Sequence, residues 1–513
     1  LYLPGVGFND KLSLPFAIQI CKFVRHYQMI NELTSEISFA SFKKEILKDY
    51  ELVCLSRALS LLGRKAVLTG KANFGIFGDG KELPQIAMAK AFQKGDFRSG
   101  YYRDQTFMMA IDCLTPQQIF AGLYAHTDPN HEPMSSGRQM GGHYNTDLID
   151  ENGSWLTQTD RYNSSSDVSC TASQMPRLVG LAMASKLYRS EKSFDNPKFS
   201  INGNEVAWGT IGNASTSEGL FFESFNAAGV HQIPMVISVW DDEYGISVDN
   251  SFQTVKESIS EALAGFKRNK SKDGFEIFSV KGWDYPNLIH TFQKSGEIAR
   301  TNHVPVLIHV TELTQPQGHS TSGSHERYKS DNRLKWEKEN DCNLKFRSWI
   351  IDNNIATEAE LEAIETSSKQ EAKKAKENAW EASLEPIRNE AKQLTNCLSD
   401  AADEGLIKEG QRLLKDKSIN RKKIASFARK SLRVLRKHPH SQTEKLQSWI
   451  ANYFEETQPK FSGSLYNETK TSSLEVNKVE VSYDDEAPKV DGRIILRDNF
   501  KALFEKHDNL LVF

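Results

Sequence analysis

Apolar residues recur at helical spacing from about Leu14 to Lys71, through Phe16, Ile18, Ile20 and Phe23 and later Leu52, Leu55, Leu59 and Leu62. This predicts a helical N-terminal region over residues 1–83. From 84 to 335 helix-like and strand-like patterns alternate, as in an α/β fold whose doubly wound, mostly parallel sheet is flanked by helices. The clearest unit runs from Glu205 to Ser247: a strand (Glu205 to Ile211), a turn of small residues (Gly212-Asn213-Ala214-Ser215), a helix, and a second strand (Pro234 to Trp240). A helical, charge-rich extension is expected over 336–457. Its first part, Trp336 to Leu394, carries Glu358, Glu360, Glu362, Lys373, Lys374 and Lys376 on solvated faces and reads as a surface cap. Gln411 to His438 holds eleven Lys/Arg against one Asp, with Leu413, Ile424, Phe427, Leu432 and Leu435 as its apolar side. Residues 458–489 are polar and read as a linker. A helix (Ile494 to Lys506) and an apolar strand (Asn509 to Phe513) then open a second α/β domain, over 490–513.

Charge and cysteine content narrow the classes. The 513 residues carry a formal net charge of −3, which gives no argument for nucleic acid or membrane as a partner. The basic segment offers only Phe427 as a base-stacking ring. Cys21, Cys54, Cys113, Cys170, Cys342 and Cys397 form no Cys-x-x-Cys pair. This fits reduced thiols in a cytoplasmic protein and speaks against zinc or a disulfide framework. The first residue is Leu1, so a longer precursor is expected.

Chemistry enters at the Glu205–Ser247 unit. In a right-handed βαβ crossover, the turn at Gly212 and the loop Asp241-Asp242-Glu243-Tyr244-Gly245 lie side by side at the carboxyl ends of adjacent parallel strands, where such sheets bind ligands. The free N–H groups and positive dipole end of a helix opening suit a diphosphate. Mg²⁺, which takes oxygen ligands, would complete the site. An ordinary crossover with a polar turn has the same pattern, so these residues alone leave both readings open.

The letters of the unit add a resemblance. Gly212 to Gly219, Phe222-Glu223, Asn226-Ala227-Ala228 and Asp241 to Ser247 resemble the thiamine diphosphate motif of 2-oxo acid dehydrogenases. In that family the motif closes on Asn-Asn about thirty residues after its Gly, and Gly212 and Asp242 lie 30 residues apart. Asn213 stands where the family carries an acid, and Asp242 where it carries Asn. Tyr101-Tyr102-Arg103-Asp104, Gly137-Arg138-Gln139-Met140-Gly141-Gly142-His143-Tyr144, Ser169 to Pro176 and Gly318-His319-Ser320-Thr321-Ser322-Gly323-Ser324 follow the branched-chain α chains in the same order. Gln315 and Trp240 replace family arginines near the diphosphate. Gly78-Asp79-Gly80 spells the family triplet in the wrong place and reads as a turn. Val490 to Arg493, with the C-terminal helix and apolar strand, resembles the start of the β chain, so a fused α–β chain cut at the start of its β part is expected.

The resemblance implies a first, decarboxylating component that uses thiamine diphosphate and Mg²⁺ and passes the acyl group to a lipoyl arm. Its metal ligands would be Asn213, Asp242 and the carbonyl of Tyr244. Its cofactor contacts would be Tyr102, Arg103 (bidentate to phosphate), Ser169, Gly212, Ala214, Ser215, Ile246 and His319, with His319 also the catalytic proton donor or orienting group. Ser173 and Gln174 would hold a structural K⁺, in a loop where Cys170 replaces the family's Pro. The implied partners are a β-type module in cis or in trans, which brings the carboxylate that activates the cofactor, and a lipoyl-bearing acyltransferase, within a dimer of α–β units. A catalytically degenerate scaffold or regulatory subunit and a transketolase-like enzyme are the alternative readings.

Overall fold

The computed structural model describes residues 38–513 apart from 192–193, 270–272, 400–402, 438–440, 464–465, 483, 509 and 511–513. Helix α1 (Phe39–Leu68) is capped by the Ser38 side chain, which accepts from the Ser41 N–H at 3.2 Å. The part of the expected N-terminal helix before residue 38 lies outside the described residues. Among those described, Cys54, Cys113, Cys170, Cys342 and Cys397 are free thiols, and no helix is long and apolar enough to cross a membrane.

The centre is a six-stranded parallel sheet. Its strands are β1 (Phe97–Ser99), β2 (Asn163–Ser164), β3 (Ala207–Gly212), β4 (Met235–Trp240), β5 (Glu276–Lys281) and β6 (Val306–Thr311), in the order β2-β1-β3-β4-β6-β5. Strands β3 and β4 pair residue by residue from Ala207 opposite Met235 to Gly212 opposite Trp240. All six residues of β4 are buried, as a central strand covered on both faces requires. Alternation divides them. Val236 and Trp240 enter one core and Met235, Ile237 and Val239 the other. The sheet and its order bear out the α/β reading. The strand starts shift by one or two residues: Glu205 instead accepts from the Ile201 N–H at 2.7 Å, and Pro234, which has no N–H, accepts from Ala207.

Helix α2 (Glu82–Ala91) packs on the first face with α1. The short α3 (Gln105–Ala110) and α4 (Pro116–Leu123) come next along the chain. Helix α5 (Gln174–Ser190) and α6 (Gly219–His231) cover the second face, and α7 (Tyr285–Asn302) joins β5 to β6 on the first. The later helices correct the surface-cap expectation. After α8 (Asp331–Glu339), α9 (Cys342–Asp352) and α10 (Glu358–Cys397) send Phe346, Ile350, Leu361 and Ala372 into the same core as Tyr50 and Leu59 of α1. A helical stretch that looks polar from its charges still buries one stripe.

A smaller core joins the end of α10 to α11 (Glu404–Lys415), α12 (Arg421–Leu435) and α13 (Ser441–Ser462) through Leu394, Ile424, Phe427 and Leu446. The basic segment thus keeps its apolar side inside. Helix α13 runs into the expected linker. Beyond it come largely irregular chain and α14 (Gly492–Lys506). The strand expected from Asn509 lies almost wholly outside the described residues.

One buried cluster ties the sheet to the loop after β1. Arg98 on β1 donates from Nε to Asp104 at 2.8 Å and from both terminal nitrogens to Asp167 at 3.0 Å. It also holds the Tyr101 carbonyl at 3.1 Å. Burial alone would push the Asp167 carboxyl well up, and the Arg98 charge only partly offsets this. Arg98→Met would leave Asp104 and Asp167 buried without their cation. It is expected to cost about 3–5 kcal/mol, read as a lowered urea midpoint.

Candidate active site

A cleft of about 620 Å³ opens where β3 and β4 end, between the two loops that the crossover pattern places together. Gly245 lets them touch. A Cβ there would stand 2.6 Å from the Ala214 Cβ and 2.3 Å from the Gln253 side-chain nitrogen. After β3 the chain makes one tight turn, Ala214–Ser217, before α6 starts at Gly219. The helix therefore opens one turn later than expected. Ala214 and Ser215 head the tight turn, whose first N–H groups have no partner within it. Gly212, Asn213, Ala214 and Ser215 all line the cleft.

Three buried polar atoms in this cleft have no partner among the described residues: the Asn213 side-chain nitrogen and the side-chain oxygens of Gln253 and Gln315. The unpaired Asn213 donor, beside a turn whose first N–H groups are also open, calls for an acceptor oxygen. Ile246 puts an apolar side chain on the same lining. It sits in the two-residue turn of a small hairpin with φ 59°, a left-handed conformation that a β-branched residue adopts only under strain, and its side chain is 62% exposed.

Asp241 and Asp242 part company. Asp241 turns back into the sheet, accepting from His309 at 2.8 Å. Asp242 faces the cleft, and its Oδ2 lies 2.7 Å from the Lys81 ammonium. The side chains of Lys81 and Asp242 are 1% and 4% exposed. Burial would raise the Asp242 pKa, but the charge and hydrogen bond of Lys81, with Arg103 and Lys329, hold it below the usual carboxylate value. Lys81 also donates to the Thr314 carbonyl at 3.1 Å.

Lys81 escaped the sequence reading because it belongs to the turn Gly78-Asp79-Gly80, a triplet in the wrong place. The turn holds no cofactor motif, yet it delivers the cation. Gly80 has φ 83°, and a Cβ on it would stand 2.0 Å from the Thr314 oxygen. Glu82 is then fixed by Arg57 at 2.6 Å, which leaves Lys81 directed inward. A signal existed. A lysine at the N-cap of α2, with no side-chain cap, opposes the helix dipole and needs a compensating anion.

Tyr102 and Arg103 line the cleft as expected. The bidentate phosphate role of Arg103 needs correction, because its terminal nitrogens donate to the carbonyls of Phe77 at 2.6 Å and His319 at 3.0 Å. It is first a strut between two segments. Ser169 is not on the cleft lining. It is exposed and bonded to His143 at 2.8 Å, and Thr171 takes its place on the wall. His319 is on the lining, its Nε2 3.4 Å from the Tyr102 hydroxyl. Burial first, then the charges of Arg103 and Lys81, outweigh Asp242 and lower its pKa to about 4. It is neutral at physiological pH.

The turn N–H groups, the unpaired Asn213 donor and Ile246 fit a diphosphate with an attached ring system. The metal expectation fits poorly. Of its side-chain donors, Asp242 has Oδ2 bonded to Lys81 and Oδ1 accepting from the Tyr244 N–H at 3.2 Å. Asn213 offers only an amide oxygen, so the one carboxylate of the expected set is already engaged by Lys81 and the Tyr244 N–H.

A family model described as the dehydrogenase E1 component matches residues 50–387, about two thirds of the chain. The chain belongs to the dehydrogenase E1 component family. It is an α-type first component of a 2-oxo acid dehydrogenase, in a family that depends on thiamine diphosphate. It is similar to the 2-oxoisovalerate dehydrogenase subunit alpha of Bacillus subtilis, 25% identical over 356 residues that cover 67% of this chain and 95% of that protein. It is also similar to the pyruvate dehydrogenase E1 component subunit alpha of Rickettsia bellii, 27% identical over 205 residues, 40% of this chain and 56% of that protein. The mitochondrial pyruvate dehydrogenase E1 component subunit alpha of Dictyostelium discoideum is 25% identical over 313 residues, 60% of this chain and 71% of that one. The chain thus spans nearly all of the Bacillus relative but little more than half of the rickettsial one.

In this E1 component two site residues give measurable handles. Ile246→Gly relieves the positive φ and is expected to stabilise the free protein by about 1 kcal/mol, while weakening thiamine diphosphate binding. Melting and calorimetric titration of the same variant should move in opposite directions. For His319 the folded pKa is about 4 against an ordinary value of 6.5. The unfolded chain therefore takes up the proton first, and stability falls as pH drops through that window. His319→Gln should flatten the loss of melting temperature between pH 6.5 and pH 4.5 relative to the unsubstituted protein.

Proposed function

We propose that this cleft holds the diphosphate of thiamine diphosphate for oxidative decarboxylation of a 2-oxo acid, with the acyl group leaving on a lipoyl arm. The single observation that carries the reading is the unpaired, buried Asn213 donor beside the turn N–H groups of Ala214 and Ser215, on the loop that faces Asp242. When bound, the cofactor supplies the electron sink that lets CO₂ depart. The chain's own residues bind and orient. Gly212 to Ser215 and Arg103 face the phosphates, Ile246 supports the ring system, and neutral His319, next to the Tyr102 hydroxyl, holds or moves a proton at its Nε2.

The substrate proposed is a branched-chain 2-oxo acid, on the strength of the Gly137-Arg138-Gln139-Met140 run and the Bacillus relative; pyruvate is the substrate to compare with it. A β-type module, a lipoyl-bearing acyltransferase and an assembly of two α–β units belong to the same reading, supported by relatives named as alpha subunits. So do a cytoplasmic location and a K⁺ near Ser173 and Gln174, for which the Gln174 amide, donating to the Thr210 carbonyl at 3.0 Å, is one anchored group. Repeating cofactor titration in KCl and in choline chloride tests that ion.

The function is tested by measuring 2-oxo acid-dependent CO₂ release from this chain together with a β-type chain. Turnover is expected with 2-oxoisovalerate. His319→Gln should lower kcat by about 10²–10⁴-fold with cofactor affinity nearly unchanged. Cofactor binding without turnover would favour the scaffold reading.

A further inference from the structure

We propose that Lys81 is the built-in cation of this site and takes the place of the divalent metal, so that the diphosphate binds without Mg²⁺. The inference rests on the thiamine diphosphate reading above. It starts from occupancy of the carboxylate: Asp242 Oδ2 is 2.7 Å from the Lys81 ammonium and Oδ1 accepts the Tyr244 N–H at 3.2 Å. A divalent cation reaching that carboxylate would have to sit against a buried positive charge, which repels it.

Lys81 has no easy way out. It is buried at the foot of the cleft, its second contact is the Thr314 carbonyl at 3.1 Å, and the turn behind it is pressed onto Thr314 through Gly80. The next residue, Glu82, is locked to Arg57, which is itself paired with Asp341 at 2.8 Å. An ammonium has three N–H groups. Asp242 and Thr314 accept from two of them, and the third is available to a phosphate oxygen, because Lys81 lines the same cleft as Asn213 and Ser215. The exchange is consistent in charge. Lys81 and Arg103 stand against Asp242 at the buried end of the cleft, while Glu218, the other charged group on the lining, is exposed, so the buried charges favour an anion.

The test is calorimetric titration of the full chain, freed of metal by a chelator, with thiamine diphosphate and separately with inorganic pyrophosphate, in EDTA and in millimolar Mg²⁺. The expected result is an affinity that differs by less than about threefold between the two conditions. Lys81→Ala should lose affinity at least tenfold in EDTA and recover it in Mg²⁺, because Asp242 is then open to a metal. Lys81→Met with Asp242→Asn keeps the pocket neutral if the single variant fails to fold, and should bind weakly in both conditions. Binding by the unsubstituted chain only when Mg²⁺ is present would overturn the lysine proposal and leave the cofactor reading standing. No binding of either probe in either condition would overturn the cofactor reading and this proposal with it.

Discussion

The Arg98 guanidinium, held between Asp104 and Asp167, is the interaction on which the rest of the site's geometry depends. It joins β1 to the loop 101–104 and to the chain just after β2. Asp104 in turn accepts from the Trp240 indole at 3.4 Å and from the Thr210 hydroxyl, so the ends of β3 and β4 are gauged from the same carboxylate. Two buried carboxylates around one cation tolerate no misplacement. That intolerance fixes where Tyr102 and Arg103 enter the cleft.

From this frame the cleft is assembled by charges that answer one another. The loop that carries Asp242 is held from behind, where Arg333 donates to the Asp242 carbonyl at 2.9 Å and Lys329 pairs with Glu337 at 2.6 Å. In front of it lies Lys81. The Tyr244 ring lies under both Lys329 and Arg333. The result is a site in which the buried Lys81, Arg103 and Asp242 lie on the same lining as a neutral histidine.

Much of this was legible in the sequence, for physical reasons. The β3–α6–β4 unit was readable because a strand buried on both faces must be largely apolar, as Met235 to Trp240 is with Ser238 its one polar residue, and because a run of small residues follows at Gly212. His319 was readable from its Ser/Thr loop. The partner of Asp242 was not, since Lys81 lies 161 residues away and no local pattern encodes a long-range ion pair. Arg103 shows the same limit. Its identity suggested phosphate, but two backbone carbonyls from distant segments had first claim on its donors. The helices beyond residue 336 misled for another reason: their charges are abundant enough to hide the narrow stripe that packs against α1.

Arg103 has one further consequence. Its guanidinium holds the Phe77 carbonyl on one side and the His319 carbonyl on the other, while Thr321 exchanges hydrogen bonds with Gly75 and Arg64 holds the Ser320 carbonyl. The serine-rich loop is therefore fastened to the segment before α2 by a few polar stitches, one of which is a cation that an incoming anion also attracts. Ligand charge and loop order are thermodynamically linked through that single side chain. The rate at which a protease nicks the chain between His319 and Ser324 becomes a gauge of whether the cleft is filled.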